Sequence, residues 1–317
     1  MADLSSSPGV PAQLGAAPNA GEPAAAAAWE PGVRDDRVLT STRALGAVIV
    51  PFLLVAFGVL YLFPDDTRHW FAWDVQPTIT PLLMGAGYIA GAYFFVRVAC
   101  ETRWHRIQVG FLPVTAFTLF MAIGTFNHLD RFATRHVAFW IWVGLYVTTP
   151  VLVPLAWWRN RATDPRTPEP GDPALPRFVR PTLLIAGAVQ LAIALVLLLS
   201  PSTMIEHWPW TLTPLTAQTL GGWFALPGVT ALMMGFDGRW SAMRITLESQ
   251  LIGLVLILLG TARAREDVDA ENALAYVFVA GIAGLFVALL ALECFMVARE
   301  RAGAASAHAA GTAVPVP

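Results

Sequence analysis

Long, nearly uninterrupted apolar runs dominate the chain, and they follow neither the alternation of a strand nor the one-sided stripe of a surface helix. Eight of them, at about 44–63, 79–100, 107–125, 137–157, 182–200, 215–236, 245–262 and 273–297, approach the ~20 residues needed to cross the hydrocarbon of a bilayer. Only helices and closed barrels satisfy their own backbone groups in lipid, and runs of this length read as helices. The expected fold class is therefore an all-α integral membrane protein with eight transmembrane helices. Polar and Pro/Gly-rich stretches separate the runs. The longest internal one, 159–180, holds Pro165, Pro168, Pro170, Pro173 and Pro176 and reads as a solvated linker.

The pattern occurs twice. Trp73, Pro77 and Gly85 recur as Trp210, Pro214 and Gly222, and Arg43 and Pro64 as Arg180 and Pro201, all at an offset of 137. Arg103-Trp104 recurs as Arg239-Trp240, and Gly124-Thr125 as Gly260-Thr261, at an offset of 136. A single one-residue deletion reconciles the two offsets. Residues 37–158 and 181–301 then form two four-helix repeats, flanked by tails at 1–36 and 302–317 that read as disordered from their Ala/Pro/Gly/Ser content. A four-span unit starts and ends on the same side, so the repeats are expected to be parallel, related by an axis along the membrane normal. Gly87 and Gly91, with Gly221 and Gly222, mark the second and sixth runs as the closely packed centres of the two units.

Charge gives orientation. The chain has 20 Lys+Arg, every one of them Arg. With both termini inside, the inner segments carry Arg34, Arg37, Arg43, Arg97, Arg103, Arg106, Arg159, Arg161, Arg166, Arg177, Arg180, Arg239, Arg244, Arg299 and Arg301. The outer loops carry only Arg68, Arg131, Arg135, Arg263 and Arg265. The positive-inside rule then places both termini in the cytoplasm of a multi-pass cell-membrane protein. The first residues lack the basic start, apolar core and cleavage site of a signal peptide. A net charge of −2 with no basic cluster argues against nucleic acid as a partner. The partners expected are the lipid bilayer and, beyond it, a small-molecule solute or other membrane proteins.

Few residues offer chemistry. The carboxylates inside runs are Glu248 and Glu293, and Arg244 lies one helical turn before Glu248. An ionisable residue within a span is a functional candidate by default, so these three form a candidate substrate or proton site. The plainer alternative is an ion pair that anchors a helix at the interface. On the other side, His69, Trp73 and Asp74 precede the second run, and His207 and Trp210 precede the sixth. They form a candidate outer rim for a flat or cationic ligand, or else an ordinary aromatic belt. Asn127, His128, Asp130, Arg131 and His136 cluster after the third run without metal-ligand spacing, so no metal is expected. The histidines avoid the run centres, which argues against a bis-His haem, and the absence of lysine excludes Schiff-base cofactors. Cys100 and Cys294 read as free thiols, too few for a disulfide framework. No phosphate loop, CxxC pair, HExxH or Gly-x-Ser-x-Gly elbow occurs, and no cofactor is expected. The Trp73-x-x-x-Pro77-x-x-x-Pro81 run resembles part of the tryptophan-rich sensory proteins, but it covers a short stretch and implies nothing about the duplicated remainder.

Function reads first as a transporter or permease for a small hydrophobic or amphipathic solute, on the strength of the two-unit seam, the kinked spans and the one-sided carboxylates. A non-catalytic scaffold or accessory subunit of a partner complex is the first alternative. An enzyme acting on a lipid or isoprenoid is the second, and the absence of a clustered acid, base or metal set weighs against catalysis.

Overall fold

Four of the apolar runs are central and four peripheral in the computed structural model, which describes residues 34–312. Eight long helices form in chain order: α1 (Thr40–Phe57), α2 (Ile79–Cys100), α3 (Phe111–Asn127), α4 (Val137–Asn160), α5 (Val179–Leu199), α6 (Pro214–Asp237), α7 (Trp240–Arg263) and α8 (Ala273–Thr312). All eight are long and apolar enough to cross a membrane, and no strand occurs among the described residues. The chain is thus an all-helical, multi-pass membrane protein.

In α2, 61% of the most apolar stretch is buried, against 11% in α8, so the protein interior is built from α2, α3, α6 and α7. The helices α1, α4, α5 and α8 turn residues such as Val55, Trp140, Ile185 and Val287 outward, as a lipid-facing surface requires. Helix α1 packs on α2 and α5 on α6; α4 packs on α3 and α8 on α7; between them, α2 packs on α7 and α3 on α6. Small residues set these crossings. A Cβ on Gly46 of α1 would stand 2.9 Å from Val98 Cγ1 of α2, and one on Gly187 of α5 would stand 2.7 Å from the Gly228 carbonyl oxygen of α6. Gly124 of α3 faces Gln218 and Thr219 of α6, and Gly260 of α7 faces Leu82 of α2. At the helix ends, Arg43 Nε donates to the Ala99 carbonyl at 2.8 Å and Arg180 Nε to the Gly235 carbonyl at 3.0 Å.

Some boundaries differ from the sequence reading. Helix α1 ends in one π-helical turn, Gly58–Leu62. Pro113 lies in the first turn of α3, where its missing N–H breaks no helical bond, whereas Pro51, Pro150, Pro154 and Pro227 are internal. Helix α8 continues to Thr312, past the start of the expected disordered tail at Ala302; the Ala-rich segment has the strongest helix propensity available. The expected N-terminal tail lies outside the described residues up to Val33. Its last residues are ordered, with Asp36 N donating to the Thr163 carbonyl at 2.9 Å.

Candidate functional site

Of the two candidate carboxylates, Glu248 has both oxygens engaged. Glu248 projects from α7 toward α2, where Tyr93 and Arg97 lie one turn apart. Its Oε2 accepts from Arg97 Nη1 at 3.0 Å and from the Tyr93 hydroxyl. Its Oε1 accepts from Arg244 Nε at 3.2 Å, the expected one-turn pair. Arg244 also reaches α8, donating to Glu300 Oε2 at 3.2 Å and lying 3.5 Å from Glu293 Oε1. Glu248, Arg244 and Glu293 are therefore brought together, and the cluster ties α2, α7 and α8 at one end of the bundle. Glu293 Oε2 is buried without a hydrogen-bond partner in the protein. Sequence reasoning missed Arg97 and Tyr93 because nothing along the chain shows that α2 adjoins α7.

The same end holds a second network, which draws in residues of the stretch read as a solvated linker. Arg239 precedes α7 and is 7% exposed. Its two terminal nitrogens donate to Asp164 at 2.8 and 3.0 Å, while Nε donates to Asp237 Oδ1 at 2.8 Å. Gln108 Nε2 bridges the same two carboxylates. Burial alone pushes the Asp164 carboxyl up, but the hydrogen bonds from Arg239 and the Arg166 backbone outweigh it and hold the group below its usual value. Arg239 is likewise held more firmly protonated, because the hydrogen bonds to Asp237 and Asp164 exceed the effect of burial.

In the other half Arg103 Nη1 contacts Glu169 at 2.8 Å, and Arg106 grips the same carboxylate with two bonds of 2.8 Å. Those Arg106 bonds, aided by Arg103, bring Glu169 down to about 2. Buried His105 lies between Asp36 Oδ2, 2.5 Å from Nδ1, and Glu169 Oε1, 3.0 Å from Nε2. The first contact has hydrogen-bond geometry and the second is a close approach off the bonding angle. Asp172 accepts from Ser241 N and Oγ, and burial raises its carboxyl above the usual range. The linker is thus pinned by Asp164, Glu169 and Asp172, which its reading as a solvated connection did not include: the buried Arg239 side chain needs counter-charges, and Asp164 of the linker supplies one beside Asp237.

The candidate outer rim does not converge. Trp73 is 3% exposed and packs against Phe71, Phe132 and Trp142 in one aromatic cluster. Trp210 is equally buried in a different cluster, where its Nε1 donates to Thr80 Oγ1 at 3.1 Å. His69 and Asp74 remain exposed beside Trp73. His207 lies with Glu206 and Asp269 along a shallow surface depression. Both tryptophans serve as core at the helix ends because their large rings gain more from burial than an open rim offers.

Between α2, α6 and α7 lies a feature invisible in the sequence, a cavity of about 220 Å³. Gly87, Ala90 and Gly91 of α2, Trp223 of α6 and Thr246 and Gly253 of α7 form much of its wall. Small residues of α2 and α7 form this part of the wall, where Gly253 packs closely on Ala90. Helices α3, α5 and α8 complete the lining, the last through Phe278, Ile282 and Leu285. Every lining residue is uncharged. Glu248 is not among them, although its neighbours Ser249 and Gln250 are. No group of His, Cys, Asp and Glu able to hold a metal occurs among the described residues. No protein-family model matches the chain, and no curated protein or solved structure matches it.

Proposed function

We propose that the protein is a membrane carrier or permease in which two parallel four-helix units, both entering from the cytoplasmic side, enclose a binding site for a small lipophilic or amphipathic solute. The observation that carries this reading is the cavity between α2 of the first unit and α6 and α7 of the second. Binding sites of repeat-built carriers lie at such an interface. Paired packing supports the duplication: α1 on α2 with α5 on α6, α4 on α3 with α8 on α7, and the reciprocal α2–α7 and α3–α6 crossings. The reciprocal approaches of Gly124 to Thr219 and of Gly260 to Leu82 join positions related by the same 136–137 offset. Orientation rests on the arginine distribution. External labelling of the Thr167→Cys variant in intact cells would refute it.

The entrance in this reading is lateral. Helix α8 packs chiefly on α7, so its cavity-lining residues leave a side of the site toward lipid. The test is flux. Reconstituted protein accelerates transbilayer movement of a slowly crossing amphipathic fluorophore, and Leu226→Trp, which projects a larger ring from the cavity wall, returns the rate to that of protein-free vesicles. Equal rates for the parent and the inserted Leu226→Trp variant would sink the proposal. Of the two carboxylates, Glu293 keeps an oxygen open, so any proton coupling is assigned to it and Glu248 to anchorage. Loss of pH-dependent flux in Glu248→Gln but not in Glu293→Gln would reverse that assignment. One observation favours the accessory-subunit alternative: the closed ionic networks at the linker end leave little freedom for rocking between units. A protein without flux that co-purifies with a second membrane protein would fit that alternative.

A further inference from the structure

We infer that the cavity recognises a neutral, mainly apolar molecule through a hydroxyl group. This deepens the reading of the seam as a binding site and rests on it. Three residues of the cavity wall each carry a polar atom that is buried without a partner in the protein: Trp223 Nε1, Gln190 Oε1 and Thr246 Oγ1. Thr246 is only 6% exposed. Its state is unusual within the chain. Thr115, Thr125, Thr149, Thr182, Thr230 and Thr261 each donate to the carbonyl four residues back, whereas Thr246 does not. The other hydroxyls on the wall are spent, Ser249 on the Ala90 carbonyl at 2.7 Å and Thr230 on the Leu226 carbonyl at 2.8 Å.

Buried polar groups are held unpaired at a cost unless something completes them. The indole N–H needs an acceptor, the amide oxygen needs a donor, and the threonine hydroxyl takes either. A ketone, quinone or ether accepts only and would leave Gln190 Oε1 unpaired. An ammonium or carboxylate would enter an uncharged wall without a counter-charge, which is far costlier. A hydroxyl both donates and accepts and carries no charge. As to size, an apolar cavity of about 150 Å³ holds a benzene molecule. The present cavity, about 220 Å³, suits an alkylated phenol or a medium-chain alcohol.

Equilibrium dialysis of the protein in nanodiscs, corrected by empty nanodiscs for partitioning into lipid, tests this with three probes: 4-propylphenol, propylbenzene and 4-propylbenzoate. The expected result is binding of 4-propylphenol about tenfold tighter than propylbenzene, the factor that one net hydrogen bond supplies, with 4-propylbenzoate weakest. Thr246→Val and Gln190→Met should each narrow the preference while leaving propylbenzene binding in place. Equal binding of phenol and hydrocarbon overturns hydroxyl recognition and leaves the cavity as a site. Tightest binding of the benzoate overturns neutrality. No binding of any probe above empty nanodiscs overturns the seam site itself, and the inference with it.

Discussion

Gly187 and Gly281 sit in helices of similar composition and have opposite roles. A Cβ on Gly187 would press to 2.7 Å on a backbone oxygen of α6 and 2.9 Å on the Leu232 backbone nitrogen, atoms that a rotamer change cannot move. Around Gly281 of α8 nothing lies within 4 Å. Gly187→Ala should therefore destabilise the protein by about 1–3 kcal/mol, the usual cost of overpacking. Gly281→Ala should be neutral or stabilising by up to about 1 kcal/mol, since it only removes helix-disfavouring backbone freedom. Thermal unfolding in one detergent checks both, and equal effects would show that α5 and α6 do not cross as described. Individual residues were legible where the reason is local. The Arg244–Glu248 pair follows from one-turn spacing, and it forms. Glycine spacing pointed to close packing on α2, and Gly87 meets the Trp223 ring, 2.0 Å from a would-be Cβ, while one on Gly91 would stand 3.4 Å from Leu53 of α1. Arg97 and Tyr93 stayed hidden because their partner is more than a hundred residues away along the chain.

Helices emerged from the sequence nearly whole, since a membrane span needs only length and apolarity, both of which are local. The linker did not. Its proline and charge content reads as solvent-facing, yet Asp164 completes the buried Arg239 and Glu169 pairs with the more exposed Arg103. The pH dependence follows from Glu169. Its folded-state value of about 2 lies below the ordinary 4.5, so the pairing stabilises the docked linker fully above about pH 4.5 and is lost as pH falls toward 2. The depressed Asp164 acts in the same direction. Hydrogen exchange of residues 161–178, corrected for intrinsic rates, should thus show falling protection over that window. In Glu169→Gln the drop should shrink, with protection already lower at neutral pH. Protection that is flat through the window, or an undiminished drop in the variant, would mean that these contacts do not hold the linker.

At the scale of the whole molecule, the offset between matching residues is the long-range signal in the sequence, and the proposed two-unit arrangement rests on it. In that proposal the two units meet at a seam, and the offset does not say whether the seam is solid. That depends on side-chain volumes meeting across three helices, and Gly87, Ala90, Gly91 and Gly253 line the space that remains. The burial of Trp73 and Trp210 was not legible, because tryptophan before a helix has the same appearance whether it lines a mouth or fills a core. The account stands on the seam cavity being a ligand site open to lipid. The most direct measurement is to crystallise the protein with 4-bromophenol and locate bromine by anomalous scattering. The account predicts a peak bounded by Ala90, Trp223, Thr246 and Gly253, lost in Leu226→Trp. Peaks only on the lipid-facing surfaces of α1, α4, α5 or α8, with the seam empty, would contradict it.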